Sequence, residues 1–270
     1  MKVIDAHTHI FPDAIADKAT KAIVESFPPP KATHHRGRAE ELLASLDRAG
    51  ISYAMVFAAA TSPHQIEDIH RFIYKQALEH EKFIPCGTLH VDYKNYKEEF
   101  KWLREHGIHG IKVHPEMQNF ALDDPRLMPM YEEMEKNDMF LIAHMGDPRS
   151  DLSGPEHMLP ITDAFPKLRC IACHLGSWGD WRLDHVLPLT KLPNVYTDIS
   201  STFSYVTGDW KPIYDIIHAY DPTHIFYGSD YPVWCPVETL EKARKLDLSP
   251  KLMEDIFYNN FVSFYHYKKL

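Results

Sequence analysis

Cysteine is scarce in this chain: Cys86, Cys170, Cys173 and Cys235 are the only four in 270 residues. That is too few for a disulfide-built protein of this length, and the four read as buried thiols. No apolar run approaches the roughly 20 residues that cross a bilayer, so a membrane-spanning helix is not expected. Asp5, His7 and His9 interrupt the apolar segment that an N-terminal export signal needs, which leads to the expectation of a cytoplasmic protein. Positive charge is also short. With 29 Lys and Arg against 38 Asp and Glu, the net charge is -9 and no basic tract offsets it, which disfavours nucleic-acid binding. There is no Gly-rich dinucleotide fingerprint near the first hydrophobic run and no phosphate-binding loop of the nucleotide-hydrolase kind. Cys170-Ile-Ala-Cys173-His174 spells a haem attachment pattern, but the segment reads as a strand, and cysteines three apart would face opposite sides of it.

What the chain does have is a regular alternation. Strand candidates begin near residues 3, 53, 83, 109, 139, 169, 194 and 225. Helical periodicity lies between them at 39–49, 64–80, 93–106, 125–137, 157–165, 180–190 and 209–219, with a further helical region from Leu240 onward. Residues 10–38 form a long first connection, in which Pro12 and Pro28-Pro29-Pro30 exclude a continuous helix; it could fold over an active site. The spacing matches one βα unit per strand, and right-handed crossovers place the strands in parallel. A doubly wound open sheet competes with a TIM-like (β/α)8 barrel. The barrel is preferred because it needs no edge strands and brings separated strand ends together. One domain spanning residues 1–270 is expected.

His7, His9, His144, His174 and Asp230 each stand where such a run ends. In a strand, His7 and His9 share a face and could grip one ion from a barrel mouth, although a lone His-x-His is weak and ordinary polar surface is the alternative. The addition of His144, His174 and Asp230 favours ligands. Lys112 and His114 share a face in the same way, and Arg149 follows the fifth strand. Lys112 reads as a substrate contact, a structural salt bridge or a metal bridge, and His114 as a pocket or supporting residue. Arg149 could bind a carboxylate bidentately or serve a loop salt bridge. Phe11, Trp178, Trp181, Phe203 and Trp234 lie on the connections after strands, as pocket walls or as loop packing. His34 and His35 in the first connection receive no catalytic role.

Asp5-Ala6-His7-Thr8-His9-Ile10-Phe11-Pro12, Gly110-Ile111-Lys112-Val113-His114-Pro115, Ile142-Ala143-His144 with Gly146, Cys173-His174-Leu175-Gly176 and Gly228-Ser229-Asp230-Tyr231-Pro232 follow one another in order. This ordered set resembles the amidohydrolase superfamily, in its amidohydrolase 2 branch, which includes decarboxylases of the aminocarboxymuconate-semialdehyde and hydroxybenzoate types. The resemblance covers essentially the whole chain. It implies a mononuclear site with one divalent metal ion, zinc before manganese, held by His7, His9, His144 and Asp230. His174 would lie at the edge of that site and exchange protons together with Asp230, while Lys112, His114 and Arg149 are the candidate substrate contacts. The first expectation is hydrolysis of a small carboxylated cyclic ester or amide by a metal-activated water. Nonoxidative decarboxylation of a small aromatic or muconate-like acid is the alternative, and an inactive barrel that only binds is the third reading. Tyr231-Pro232-Val233-Trp234 departs from the branch's common continuation and weakens the transfer of any particular substrate. The partner expected is a small carboxylated molecule, with a homodimer as the alternative to a monomer.

Overall fold

In a computed structural model of the chain, residues 2–26, 35–206, 208–268 and 270 are described. Strands and helices follow in the order β1 (Ile4–His9), α1 (Asp13–Ser26), α2 (Ala39–Ala49), β2 (Tyr53–Phe57), α3 (Ile66–Glu79), β3 (Phe83–Thr88), α4 (Tyr96–Glu105), β4 (Gly110–Val113) and α5 (Pro115–Gln118). They continue with α6 (Met128–Lys136), β5 (Phe140–Ala143), α7 (Pro155–Ala164), β6 (Arg169–Ala172), α8 (Leu183–Thr190), β7 (Val195–Asp198), α9 (Thr202–Tyr205) and α10 (Lys211–Ala219). The last elements are β8 (Ile225–Phe226), α11 (Pro236–Ala243), α12 (Pro250–Glu254) and α13 (Asn260–Phe264). The eight strands form one parallel sheet in chain order. Its two edges meet through main-chain bonds from Ala6 N to Tyr227 O at 2.8 Å, His9 N to Tyr231 O at 2.7 Å and Asp230 N to His7 O at 2.9 Å. The result is the expected (β/α)8 barrel, with each strand starting within a residue of its expected position.

Alternation along the strands divides the core in two. Met55, Phe57, Ile84, Cys86, Phe140, Ile142 and Ile171 fill the barrel interior, whereas Ala54, Val56, Ile111, Val113, Leu141, Ala143, Cys170 and Ala172 face outward into the helical layer. Gly110 belongs to the inward series of β4, where a Cβ would stand 2.5 Å from the Phe140 ring. Cys170 and Cys173 fall in opposite layers, as the geometry behind the rejection of haem attachment requires. Cys86, Cys170 and Cys173 are buried thiols, but Cys235 is only half-buried because it sits on the connection just before α11. Phe261, Phe264 and Tyr265 pack on Phe140, Tyr196 and Phe226 near the strand starts and plug that end of the barrel. The other end carries the loops after the strands, which is where a barrel of this kind builds sites.

The first connection is more ordered than its prolines suggest. Pro12 lies just before α1, where a missing amide hydrogen costs nothing, and Ile23 of α1 joins Phe11, Val233 and Trp234 in an apolar cluster. Pro28-Pro29-Pro30 and His34 lie outside the described residues. Among the described residues, no helix is long and apolar enough to cross a membrane.

A buried polar network ties α3, β3 and α4 together. The Glu99 carboxylate only accepts, so His70 Nδ1 donates to it at 2.8 Å, while His70 Nε2 lies 3.0 Å from Thr88 N and 3.1 Å from Thr88 O. Arg71 adds two bonds to Glu99 at 2.6 and 3.1 Å. Burial pushes the Glu99 carboxyl up, but His70 and Arg71 outweigh it and hold the group down at about 2, against an ordinary 4.5. Because the folded value lies below the ordinary one, the stabilisation is fully present above about 4.5 and is lost as pH falls toward 2. Glu99→Gln is expected to cost about 1.5–3 kcal/mol at pH 7, from hydrogen bonds to a charged group. Urea unfolding at pH 7 and at pH 3 should show the gap between variant and wild type narrowing at the lower pH.

Candidate functional site

Local irregularities aim the candidate residues. In β1, Ile4 pairs with Tyr53 and Asp5 with Ala54, but the next pairs are Thr8 with Val56 and His9 with Phe57, so β1 carries one extra residue. Paired residues of parallel strands share a face, and Phe57 points into the barrel while Val56 points out. The bulge therefore turns His7 and His9 into the barrel mouth, although the inward series Ile4 and Ala6 would otherwise continue to Thr8. On β5, His144 simply continues the inward series of Phe140 and Ile142, and on β4 Lys112 follows Gly110 inward. In β6, Ile171 and Cys173 are the inward residues, so a regular strand would send His174 outward. Its backbone adopts the left-handed region, with φ 60°, and turns the ring back. Asp230 also has a left-handed backbone, with φ 64°, just beyond β8. Gly228 lets that segment close on β1, since a Cβ there would stand 2.8 Å from the His7 Cβ.

These side chains meet at the carboxyl end of the barrel. Asp230 Oδ1 lies 3.5 Å from His7 Nε2 and 3.8 Å from His9 Nε2. His7, His9 and Asp230 each offer a ligand atom, all within 4.8 Å of one another. A small cleft lies over them, bounded by His114 and His144 and by the apolar side chains of Ile23, Met117 and Val233. α1, in the first connection, contributes Ile23 to the wall of this cleft. His144 stacks on His114 with centroids 3.9 Å apart and planes 9° from parallel. Glu116 Oε2 stands 3.4 Å from His114 Nδ1 and 4.0 Å from His144 Nε2. His174 is enclosed behind them, with Nε2 3.1 Å from His144 Nδ1.

Burial dominates the electrostatics. It drives His7, His9, His144 and His174 well below the usual imidazole value, and Lys112 adds to the effect on each. Neutral imidazole is the form that ligates metal. Burial pushes the Asp230 carboxyl up to about 7, opposed by Ser201 and Lys112. Ser201 donates to Asp230 Oδ2, and Trp234 Nε1 donates to Ser201 Oγ at 3.0 Å. Two imidazole nitrogens and a carboxylate oxygen, dehydrated and convergent, suit a divalent transition-metal ion.

The remaining candidates separate. Lys112 is fully buried, with Nζ 3.2 Å from His7 Nε2, 3.5 Å from Cys173 Sγ and 4.8 Å from the Phe57 ring centre. Arg149 takes the loop salt bridge: Nε donates to Asp147 Oδ1 at 2.7 Å and Nη2 to Oδ2. His114 lines the cleft. The aromatic residues act mainly as supports: Trp234 holds Ser201, Trp181 Nε1 donates to His174 O at 3.0 Å, and Phe203 packs on Trp210. Asp198, Ser200, Ser201 and Glu116 belong to the site without having been singled out in the sequence. Asp198 did end a strand candidate, which was the available signal; a serine or a glutamate in a loop carries none.

The chain matches the model of the family described as Amidohydrolase over residues 4–266. Comparison with curated proteins gives no match. Among solved structures, an uncharacterised TIM-barrel protein from Bordetella bronchiseptica is similar at 19% identity and a TM-score of 0.75, with 99% of each chain covered. A dihydroxybenzoic acid decarboxylase from Polaromonas, holding manganese and the inhibitor 2-nitroresorcinol, is similar at 15% identity and a TM-score of 0.73, over 98% of this chain and 97% of that one. A 5-carboxyvanillate decarboxylase from Novosphingobium aromaticivorans, complexed with manganese and 4-hydroxy-3-methoxy-5-nitrobenzoic acid, gives 16% and 0.74 over 98% and 96%. Decarboxylases of hydroxylated benzoates recur among the similar structures. At these identities the likeness carries the fold. For the metal, elemental analysis should find close to one equivalent per chain, and His7→Ala or Asp230→Ala should lose it. Two tightly held ions sharing Lys112 would contradict a mononuclear site.

Proposed function

The chain belongs to the amidohydrolase family, and on that premise we propose a metal-dependent enzyme that removes carbon dioxide from a small hydroxylated aromatic or muconate-like acid. The observation that carries the metal is the convergence of His7, His9 and Asp230 ligand atoms within 4.8 Å beneath the cleft; His144 lines the same cleft but groups with His114 and Glu116, and it is assigned as the fourth ligand by this reading alone. The preference for decarboxylation over the hydrolysis first expected is supported by the recurrence of decarboxylases among structures of the same fold. The manganese held by two of them moves the preference from zinc to manganese. Hydrolysis of a carboxylated cyclic ester or amide stays as the second reading, favoured by the family match itself.

A divalent ion, when bound, would supply Lewis-acid polarisation of substrate oxygens. The chain's own residues do the rest. Ile23, Met117 and Val233 present an apolar face to a planar substrate and exclude water. His114 meets the substrate in the cleft, whereas Lys112 is enclosed and Arg149 is paired with Asp147, so neither is assigned the carboxylate. When the carbon–carboxylate bond breaks, its electron pair stays on the carbon that bore the carboxylate and a proton must replace the departing carbon dioxide. Asp230, which lines the cleft, and His174, which reaches it only through His144, are the groups assigned to manage that proton.

Two experiments test the reading. His174→Asn should retain much of the metal yet lose 10²-fold or more of turnover, the scale of general acid–base catalysis; unchanged turnover would remove His174 from the mechanism. Hydroxylated benzoates, muconate-like acids, carboxylated lactones and cyclic amides should then be assayed together for carbon dioxide and product mass. Carbon dioxide release without added water is the expected result, and products heavier by one water would restore hydrolysis.

A further inference from the structure

Asp198, at the end of β7, is fully buried and stands between two of the candidate histidines. Its Oδ1 accepts from the main-chain nitrogens of His174 at 3.3 Å and Ser200 at 3.0 Å, and from the Ser200 hydroxyl. Its Oδ2 lies 3.0 Å from His7 Nδ1. Ser200 Oγ is 2.8 Å from His174 Nδ1, and His174 Nε2 is 3.1 Å from His144 Nδ1. We propose that Asp198 and Ser200 are positioning residues that fix the proton positions of three imidazoles at once, holding His7, His174 and His144 with the proton on Nδ1 and none on Nε2, which is the protonation that ligation of a metal ion through the Nε2 atoms of His7 and His144 requires.

The direction of each bond follows from groups that can act in only one way. A carboxylate only accepts, so Ser200 spends its hydroxyl hydrogen on Asp198 and offers lone pairs to His174 Nδ1. The Ser200 carbonyl, 3.4 Å from the same nitrogen, also only accepts, which places a hydrogen on His174 Nδ1 independently. At the other branch, Lys112 only donates, and its Nζ lies 3.2 Å from His7 Nε2. That nitrogen therefore carries no hydrogen, and the His7 proton sits on Nδ1, facing Asp198. With one proton per ring, His174 Nε2 accepts from His144 Nδ1, which leaves His144 Nε2 as the unprotonated nitrogen. One buried carboxylate thus orients a ring on β1, a ring after β5 and a ring after β6.

The purpose of the device rests on the metal reading, but the proton positions exist without metal and can be read separately. The full metal-free chain, labelled with ¹⁵N in its histidine rings, should show His7, His144 and His174 with protonated Nδ1 and unprotonated Nε2 in long-range ¹H–¹⁵N spectra, assigned through single substitutions. Ser200→Ala keeps the carbonyl of residue 200 but loses the hydroxyl on His174 Nδ1, so it should shift the ring signals of His174 and His144 toward mixed Nδ1 and Nε2 protonation while His7 keeps its Nδ1 proton on Asp198. Asp198→Asn should disturb all three and weaken manganese binding 10- to 100-fold, the usual effect of losing such a supporting group. A wild-type spectrum with His144 or His174 protonated on Nε2, or an unchanged spectrum in Ser200→Ala, overturns the proposal even if Asp198→Asn does not fold. Fixed Nδ1 protons in a chain that binds no manganese would uphold the hydrogen-bond device and refute the metal reading alone.

Discussion

Dehydration of ionisable groups is the constraint on which this structure turns. His7, His9, His114, His144 and His174 share one barrel end with Asp198, Asp230 and Lys112, all buried. Removing such groups from water is unfavourable unless each finds a partner or gives up its charge. The imidazoles give up charge, Asp198 gathers three donors on one oxygen, and Lys112 sits against His7 and Cys173. The apolar plug of Phe261, Phe264 and Tyr265 at the opposite end leaves the strand ends near the cleft open to polar chemistry. The apolar plug thus occupies one end of the barrel and the candidate site the other.

Much of this was legible in the sequence because the barrel repeats one unit. Apolar runs spaced by amphipathic helices locate all eight strands, and the residues at their ends point to the mouth. What stayed hidden depended on departures from regular geometry. The period of two says that His7 and His9 share a face, but a regular β1 that keeps Ile4 and Ala6 inside would turn both histidines outward; the inserted residue reverses this. His174 likewise reaches the site only through a left-handed backbone. No periodicity argument sees either feature.

Long-range partners were hidden for a different reason. Arg149 was open to two uses, and the bond to Asp147 two residues away gives it the local one. Asp198 ended a strand candidate as Asp230 did, yet only the closed barrel shows that it meets His7 across 191 positions of sequence. Ser200 and Ser201 differ in nothing at the level of sequence, but one serves Asp198 and the other Asp230. The helix in the first connection escaped notice because proline was weighed as a breaker throughout, although Pro12 sits just where a helix tolerates it.

The central claim is that the carboxyl end of the barrel holds one metal ion. Crystals grown with manganese and measured at its absorption edge would locate the ion by anomalous scattering. The account predicts one strong peak per chain, bonded by His7 and His9 nitrogens and an Asp230 oxygen, with His144 as the fourth protein ligand. A peak confined to the exposed Asp151, Glu156 and His157 cluster, or a pair of peaks bridged by Lys112, would contradict it.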